Sequence, residues 1–265
     1  MDLSNLKFDI IIQGGQSNAQ GYGIGDVLEE YQPNPNILYL QEDRQIEHTD
    51  KGLLIAHKQS LLSVQIANEK KENDKKIGDF SLTFAEEYVK NGLLKADRKL
   101  LIIRAAVGGT GFARGHWGRF DYLYLRMLRM VEYALSLNPE NRVVAFLWHQ
   151  GEHEVIFKND PENYYRQLVS MIEEVRQICK WDIPFLVGDF VSDWKTANWA
   201  GCEPIVETIR RVVKNVGNAI FVETEDLPSN DQKTKNGDTI HFCREALHIL
   251  GKRYFSLYEK LKESL

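Results

Sequence analysis

The feature that most constrains this chain is the alternation of short apolar runs with helix-patterned stretches. Phe8–Ile12, Leu100–Ala105, Arg142–Trp148 and Ile183–Val187 are strand-sized and almost wholly apolar. Strands with so few polar positions are buried on both faces, as in a parallel sheet covered by helices on either side. The helical stretches fall between them. Phe80–Val89 has helical spacing and closes at Asn91-Gly92, and Tyr122–Leu137 repeats apolar residues at three and four. Asp160 caps a helix with proline at its first position, and the stripe Tyr165, Leu168, Ile172, Val175, Cys179 is its buried face. Further helices are expected near Pro204–Val216 and Arg244–Leu261, and further strands at Asn36–Leu40 and Ala219–Val222. The predicted fold class is α/β, a three-layer α/β/α sandwich around a central parallel sheet. Residues 43–80 read as polar and irregular, with Lys70–Lys76 a solvated loop. No repeat or linker interrupts the chain, so its 265 residues are read as one domain, 1–265.

Charge and composition remove several function classes. The net charge is −5, without the basic excess of a nucleic-acid binder. Runs such as Leu53–Ala56 are too short to span a bilayer, so no membrane partner is expected. The first residues, Met1 to Asn5, lack the basic head and apolar block of a signal peptide; with Met1 as the start, the expected location is cytoplasmic. Three widely spaced cysteines, Cys179, Cys202 and Cys243, offer no CxxC pair and fit buried thiols in a reducing compartment.

Ligands of open α/β sheets bind beyond the carboxyl ends of the strands. Three inferred strands end in glycine-bearing polar turns, namely Gly14-Gly15-Gln16-Ser17-Asn18, Gly108-Gly109-Thr110-Gly111 and His149-Gln150-Gly151-Glu152. In a parallel sheet all three converge on one edge. Ser17 reads either as a helix N-cap or as an exposed strand-end nucleophile, and Gly21, Gly23 and Gly25 argue against a long helix there. The G-x-S-x-G elbow is missing, because Ala19 stands at the second glycine. Asp238 and His241, three apart, read either as a loop pair without a role or as a carboxylate that fixes an imidazole tautomer. In the second reading the free imidazole nitrogen takes the Ser17 proton.

Gly108–Gly111 does not complete a dinucleotide fingerprint, since Arg114 occupies the third glycine position; bare N–H groups facing an oxyanion are the alternative. His149-Gln150-Gly151-Glu152-His153 matches the H-x-x-E-H zinc pattern, which needs both histidines on one helical face. A strand running into Gly151 disfavours that geometry, and no cofactor is expected.

Taken together the four blocks resemble the carbohydrate-acetylesterase branch of the SGNH hydrolases, the group of sialate O-acetylesterase-like and acetylxylan esterase-like domains. The resemblance rests on Gly15-Gln16-Ser17-Asn18 with Gly21, and on Gly108-Gly109-Thr110 with Trp117 downstream. Trp148-His149-Gln150-Gly151-Glu152 and Asp238-x-x-His241-Phe242 complete it. It implies a flavodoxin-like sandwich, with Ser17 as nucleophile, His241 as base and Asp238 as orienting acid. It also implies an oxyanion hole from the N–H groups of Ser17 and of Gly108 or Gly109, with Gln150 as side-chain donor. Asn18, Trp117, Glu152 and His153 become candidate pocket residues. Tyr22, Trp117 and Trp199 read either as side chains that stack on a sugar ring or, as aromatic residues more often are, as core. The third block departs from the family pattern, reading Glu152-His153-Glu154 where Glu-Ser-Asp is common. That leaves the triad intact and bears on the shape and charge of the pocket, with His153 and Glu154 reading either as specificity residues or as an exposed loop pair without a role.

The expected activity is hydrolysis of O-acetyl groups on a small carbohydrate, such as an acetylated xylo-oligosaccharide or sialic acid, through an acetyl-enzyme on Ser17. Two rivals stand beside it: a zinc hydrolase built on His149, Glu152 and His153, and a non-catalytic carbohydrate-binding protein on the same fold.

Overall fold

The computed structural model describes residues 3–263 apart from 44–45, 50–51, 56–60 and 73. Its sheet is built from β1 (Lys7–Gly15), β2 (Ile37–Asp43), β3 (Leu61–Ile66), β4 (Arg98–Arg104), β5 (Arg142–His149), β6 (Phe185–Gly188) and β7 (Ala219–Val222). The strands lie in the order β7-β6-β5-β1-β4-β2-β3, and every neighbouring pair is parallel except β2–β3. Helices Phe80–Lys90 and Arg244–Glu263 pack on each other in one layer, while Pro161–Cys179 contacts both Tyr122–Ser136 and Trp199–Val216 in the other. The three-layer sandwich expected from the sequence is the observed fold.

Local chemistry accounts for the boundaries. Asp79 and Asp160 cap their helices by accepting from Ser81 N and Asn163 N, both at 2.9 Å. The second of these helices buries Leu168, Ile172 and Val175, with Tyr164 and Met171 replacing the expected Tyr165 and Cys179. Asp9, the one charge in the first apolar run, is buried between Arg98 and Arg142, with a carboxylate oxygen 2.7 Å from each. Tyr88 donates to it as well, so the ion cluster closes the end of the sheet opposite the strand tips.

Two expectations need correction. Residues 43–80 contain β3, whose Leu62 and Val64 pack on the core at alternate positions, and two short hairpins, Ile46–Thr49 with Gly52–Ile55 and Lys70–Glu72 with Lys75–Ile77. A two-residue period held by few apolar side chains is easily read as loop. The helix expected from Pro204 begins at Trp199, because proline removes only its own N–H and the turns before it close without that donor.

The topology also fixes where a site can form. From β1 the chain moves to β2 on one side of the sheet, and from β5 it moves to β6 on the other. The crevice between the carboxyl ends of β1 and β5 is therefore the switch point at which such sheets bind ligands.

Candidate active site

Gly15 and His149 are paired at the tips of β1 and β5. Gly15 has φ +123°, and a Cβ on it would lie 2.1 Å from the His149 carbonyl oxygen. Only glycine lets the strand turn there. Gln16 N–H then donates to that carbonyl at 3.0 Å, and the single helical turn Ser17–Gln20 begins. Gln13 holds this turn from below through the Ala19 carbonyl, and Arg104 holds it through the Gln20 carbonyl at 2.8 Å.

Ser17 opens onto a cleft of ≈ 470 Å³ lined also by Gln16, Tyr22, Gly108, Gly109, His153, Ile156, Phe157, Ile240 and His241. Opposite the serine turn, the loop before the last helix places Asp238 behind His241. The Asp238 carboxylate lies 2.9 Å and 3.0 Å from His241 Nδ1, and Asn230 Nδ2 donates to it at 2.9 Å. Burial pushes the Asp238 carboxyl up, but the bonds from His241 and Asn230 outweigh it and hold it below the usual carboxylate range. Tyr22 stacks on the His241 ring, with centroids 5.3 Å apart and planes within 20°. Ser17 and His241 share the cleft without a hydrogen bond between them among the described residues.

Asn18 couples the two sides. Its amide donates to Glu152 Oε1 at 2.7 Å and to the Ile240 carbonyl at 3.1 Å, and its carbonyl oxygen accepts from Phe242 N–H at 3.1 Å. The Ser17 turn, the turn after β5 and the segment bearing His241 thus meet on one buried amide. Burial raises the Glu152 carboxyl above its ordinary range, and its Oε2 finds no partner among the described residues.

Several predicted residues lie elsewhere. Trp117 is fully buried, edge-on to Trp148 with its indole N–H on Thr110 Oγ1 at 2.9 Å, so it braces the 107–117 loop instead of lining the cleft. Gln150 is also fully buried and not part of the lining; its amide donates to Glu154 Oε1 at 2.7 Å and lies 3.4 Å from Oε1 of the lining residue Gln16. Asn18 and Glu152 sit behind the cleft wall. Trp199 belongs to a separate surface depression with Lys195 and Glu203. Of the two glycines, Gly108 N–H is taken by Gln20 Oε1 at 2.6 Å, whereas Gly109 N–H has no protein acceptor among the described residues.

The zinc pattern does not assemble. His149 lies among Phe80, Phe242 and Tyr254, and burial holds its imidazole down to about 3. His153 faces the cleft beside His116 and Phe157. Among the described residues no group of three or more His, Cys, Asp and Glu could hold a metal ion. Sequence reasoning missed the walls made by Ile156, Phe157 and Ile240, and the Asn230 support for Asp238. The Ser229–Gln232 capping box marks the start of that short helix, but nothing in the spacing aims Asn230 at Asp238.

The family model described as carbohydrate esterase, sialic acid-specific acetylesterase matches residues 7–260. The chain belongs to that family. This carbohydrate acetylesterase is 30% identical over 255 residues to a probable carbohydrate esterase of Arabidopsis thaliana, covering 91% of this chain and 86% of the relative. It is 23% identical over 252 residues to a probable 9-O-acetyl-N-acetylneuraminic acid deacetylase of Escherichia coli K12, covering 81% and 76%. The crystal structure of NanS superposes with a TM-score of 0.74 at 19% identity, covering 98% of each chain, which is agreement in fold. The acetylesterase is a carboxylic ester hydrolase, and no helix among its described residues is long and apolar enough to cross a membrane.

Proposed function

We propose that the enzyme removes acetyl groups from a sugar hydroxyl through an acetyl-enzyme on Ser17, without a metal. The observation that carries this reading is the convergence of Ser17 and His241 on one cleft with Asp238 bonded to the far imidazole nitrogen. Ser17 Oγ attacks the acetyl carbonyl while His241 Nε2 takes its proton. The tetrahedral oxyanion accepts from the N–H groups of Ser17, at the start of its helical turn, and of Gly109. Collapse expels the sugar oxygen, which receives the proton held by His241. Water, deprotonated by the same nitrogen, then attacks the acetyl carbon and frees acetate and Ser17. Asp238 keeps Nδ1 protonated and stabilises the imidazolium throughout. Gln150 has no role in this step while its amide is bound to Glu154.

The test is Ser17→Ala, assayed for acetate release and for covalent labelling by an organophosphonate. Both are expected to vanish while the melting curve persists, and wild-type enzyme is expected to keep its rate in chelator. Labelling at another residue, or acetate release that survives in the folded variant, would overturn the assignment.

A further inference from the structure

The two residues at which the third block departs from the family pattern, His153 and Glu154, build one corner of the cleft. Glu154 lies behind it and accepts from Phe112 N–H at 2.7 Å and from Ala113 N–H at 3.0 Å. Those are the opening donors of the one-turn segment Phe112–Arg114, which has no side-chain cap of its own. Asn159 Nδ2, at 2.6 Å, and Gln150 Nε2 hold the same carboxylate from the other side. Gly111 must be bare for this approach, since a Cβ there would lie 2.2 Å from Glu154 Oε1 and 2.6 Å from His153 Nδ1. Glu154 therefore fixes the backbone of Arg114.

The Arg114 side chain is exposed and has no ion-pair partner among the described residues. Its guanidinium lies 4.7 Å from the ring centroid of Phe157, a cleft wall, and the His153 ring packs on that same ring at 4.3 Å, tilted by 38°. Stacking on an aromatic face limits the side chain's freedom while leaving its N–H groups available. Burial, His116 and the Arg114 charge together hold His153 down to about 4, so its ring is neutral in ordinary buffers. Among the described residues no Asp or Glu lines the cleft. Arg114 is thus a cation set against the Phe157 wall of the cleft with no ion-pair partner among the described residues.

We propose that Arg114 determines specificity by pairing with a carboxylate on the acetylated sugar, and that Glu154 is the positioning residue that holds it there. The proposal rests on the acetyl-enzyme reading above for the chemistry of the same cleft. Planar guanidinium donors match a carboxylate in two parallel bonds, and such charge-assisted pairs exceed neutral ones. The corresponding substrates are O-acetylated sugar acids, with neutral acetylated sugars handled less well.

The experiment crosses enzyme charge with substrate charge. Acetate release from 9-O-acetyl-N-acetylneuraminic acid and from its methyl ester is measured for wild type, Arg114→Gln and Arg114→Lys. Wild type is expected to favour the free acid about tenfold in kcat/KM, mainly through KM, as a charge-assisted bond in a half-open site supplies. In Arg114→Gln the preference should fall to within about twofold, with Arg114→Lys between the two, and added salt should weaken the wild-type preference. Equal turnover of acid and ester by wild type, or an undiminished preference in Arg114→Gln, overturns the proposal. Either result, with release still dependent on Ser17, leaves the acetyl-enzyme reading standing. Release independent of Ser17 removes that reading instead.

Discussion

Replacing Asn18 with alanine isolates the element that joins the Ser17 side of the cleft to the His241 side. The residue is 1% exposed, and its amide group makes three hydrogen bonds, to Glu152, Ile240 and Phe242. Each such bond contributes about 0.5–1.5 kcal/mol net, and a buried group left unpaired costs about 1–3 kcal/mol. Phe242 N–H and Glu152 Oε1 lie in the interior and lose their partners outright, whereas the half-buried Ile240 carbonyl can recruit water. The sum is a destabilisation of about 2–4 kcal/mol. At roughly 2–4 °C per kcal/mol for a chain of this size, the melting temperature should drop by about 5–15 °C.

The kinetic consequence has a different origin. Ile240 and Phe242 flank His241 in the chain, so Asn18 fixes the segment that carries His241, the base of the proposed mechanism. A displacement of about 1 Å in a reacting group costs on the order of 10² in rate. Turnover of an aryl acetate, measured well below the lowered melting temperature, should therefore fall by roughly that factor in kcat, with KM changing far less. Urea denaturation followed by circular dichroism gives the stability half of the test. A variant within about 0.5 kcal/mol of wild type, or one that melts early but turns over normally, would show that the amide does not hold His241 in place.

Asp238→Asn should keep the fold yet lose up to about 10⁴ in kcat, since an amide selects the wrong imidazole tautomer; near-normal turnover would remove Asp238 from its role. Gln150→Ala should cost about 1–2 kcal/mol in denaturant, because Glu154 loses a donor, while kcat falls less than about tenfold. A loss of 10²–10³ with unchanged stability would mean that Gln150 swings to the oxyanion during turnover. Glu152→Gln tests a linkage sign. The buried Glu152 carboxyl titrates above its unfolded value near 4.3, so its contribution is full below that pH and is lost as pH rises. The melting temperature of the variant relative to wild type should thus climb between pH 4 and pH 8, and a flat or falling difference would contradict the buried, proton-holding carboxyl. Gly15→Ala should not accumulate as folded protein, given the 2.1 Å approach to the His149 carbonyl and the positive φ; a soluble variant with a normal melt would refute the close packing.

Much of the fold was legible because its signals are local. Asp79, Asp160 and Pro161 act within one turn of themselves, and the apolar runs of β1, β4, β5 and β6 need no partner to be recognised. What stayed illegible depends on pairing over distance. Leu62 and Val64 become a strand only against β2, and Lys70–Ile77 becomes a hairpin only with its two halves in register. The same holds for charge. Asp9 looks misplaced in an apolar run until Arg98 and Arg142, about ninety and more than a hundred residues away, arrive beside it.

The site divides along the same line. Motif reading places residues along the chain at a strand tip but does not say toward which layer each side chain turns. Successive residues of a strand point to opposite faces. At the tip of β5 that alternation sends Trp148 toward Trp117 and Phe112, and His149 toward Phe80 and Tyr254. Gln150 follows, and its amide meets the carboxylate of Glu154 four residues later. Two histidines that spell a zinc motif thus end up in different surroundings, and a glutamine expected at an oxyanion serves a neighbouring turn. Glu154 itself accepts from two backbone N–H groups of the 112–113 turn, from Asn159 and from Gln150. A carboxylate with four donors is a structural tie whose position follows from its partners, and three of those four partners lie outside the motif that contains it. The departure from the family pattern was visible in the sequence, but its effect, a carboxylate tied to the 112–113 turn beside the cleft, is set by contacts that only the folded chain assembles.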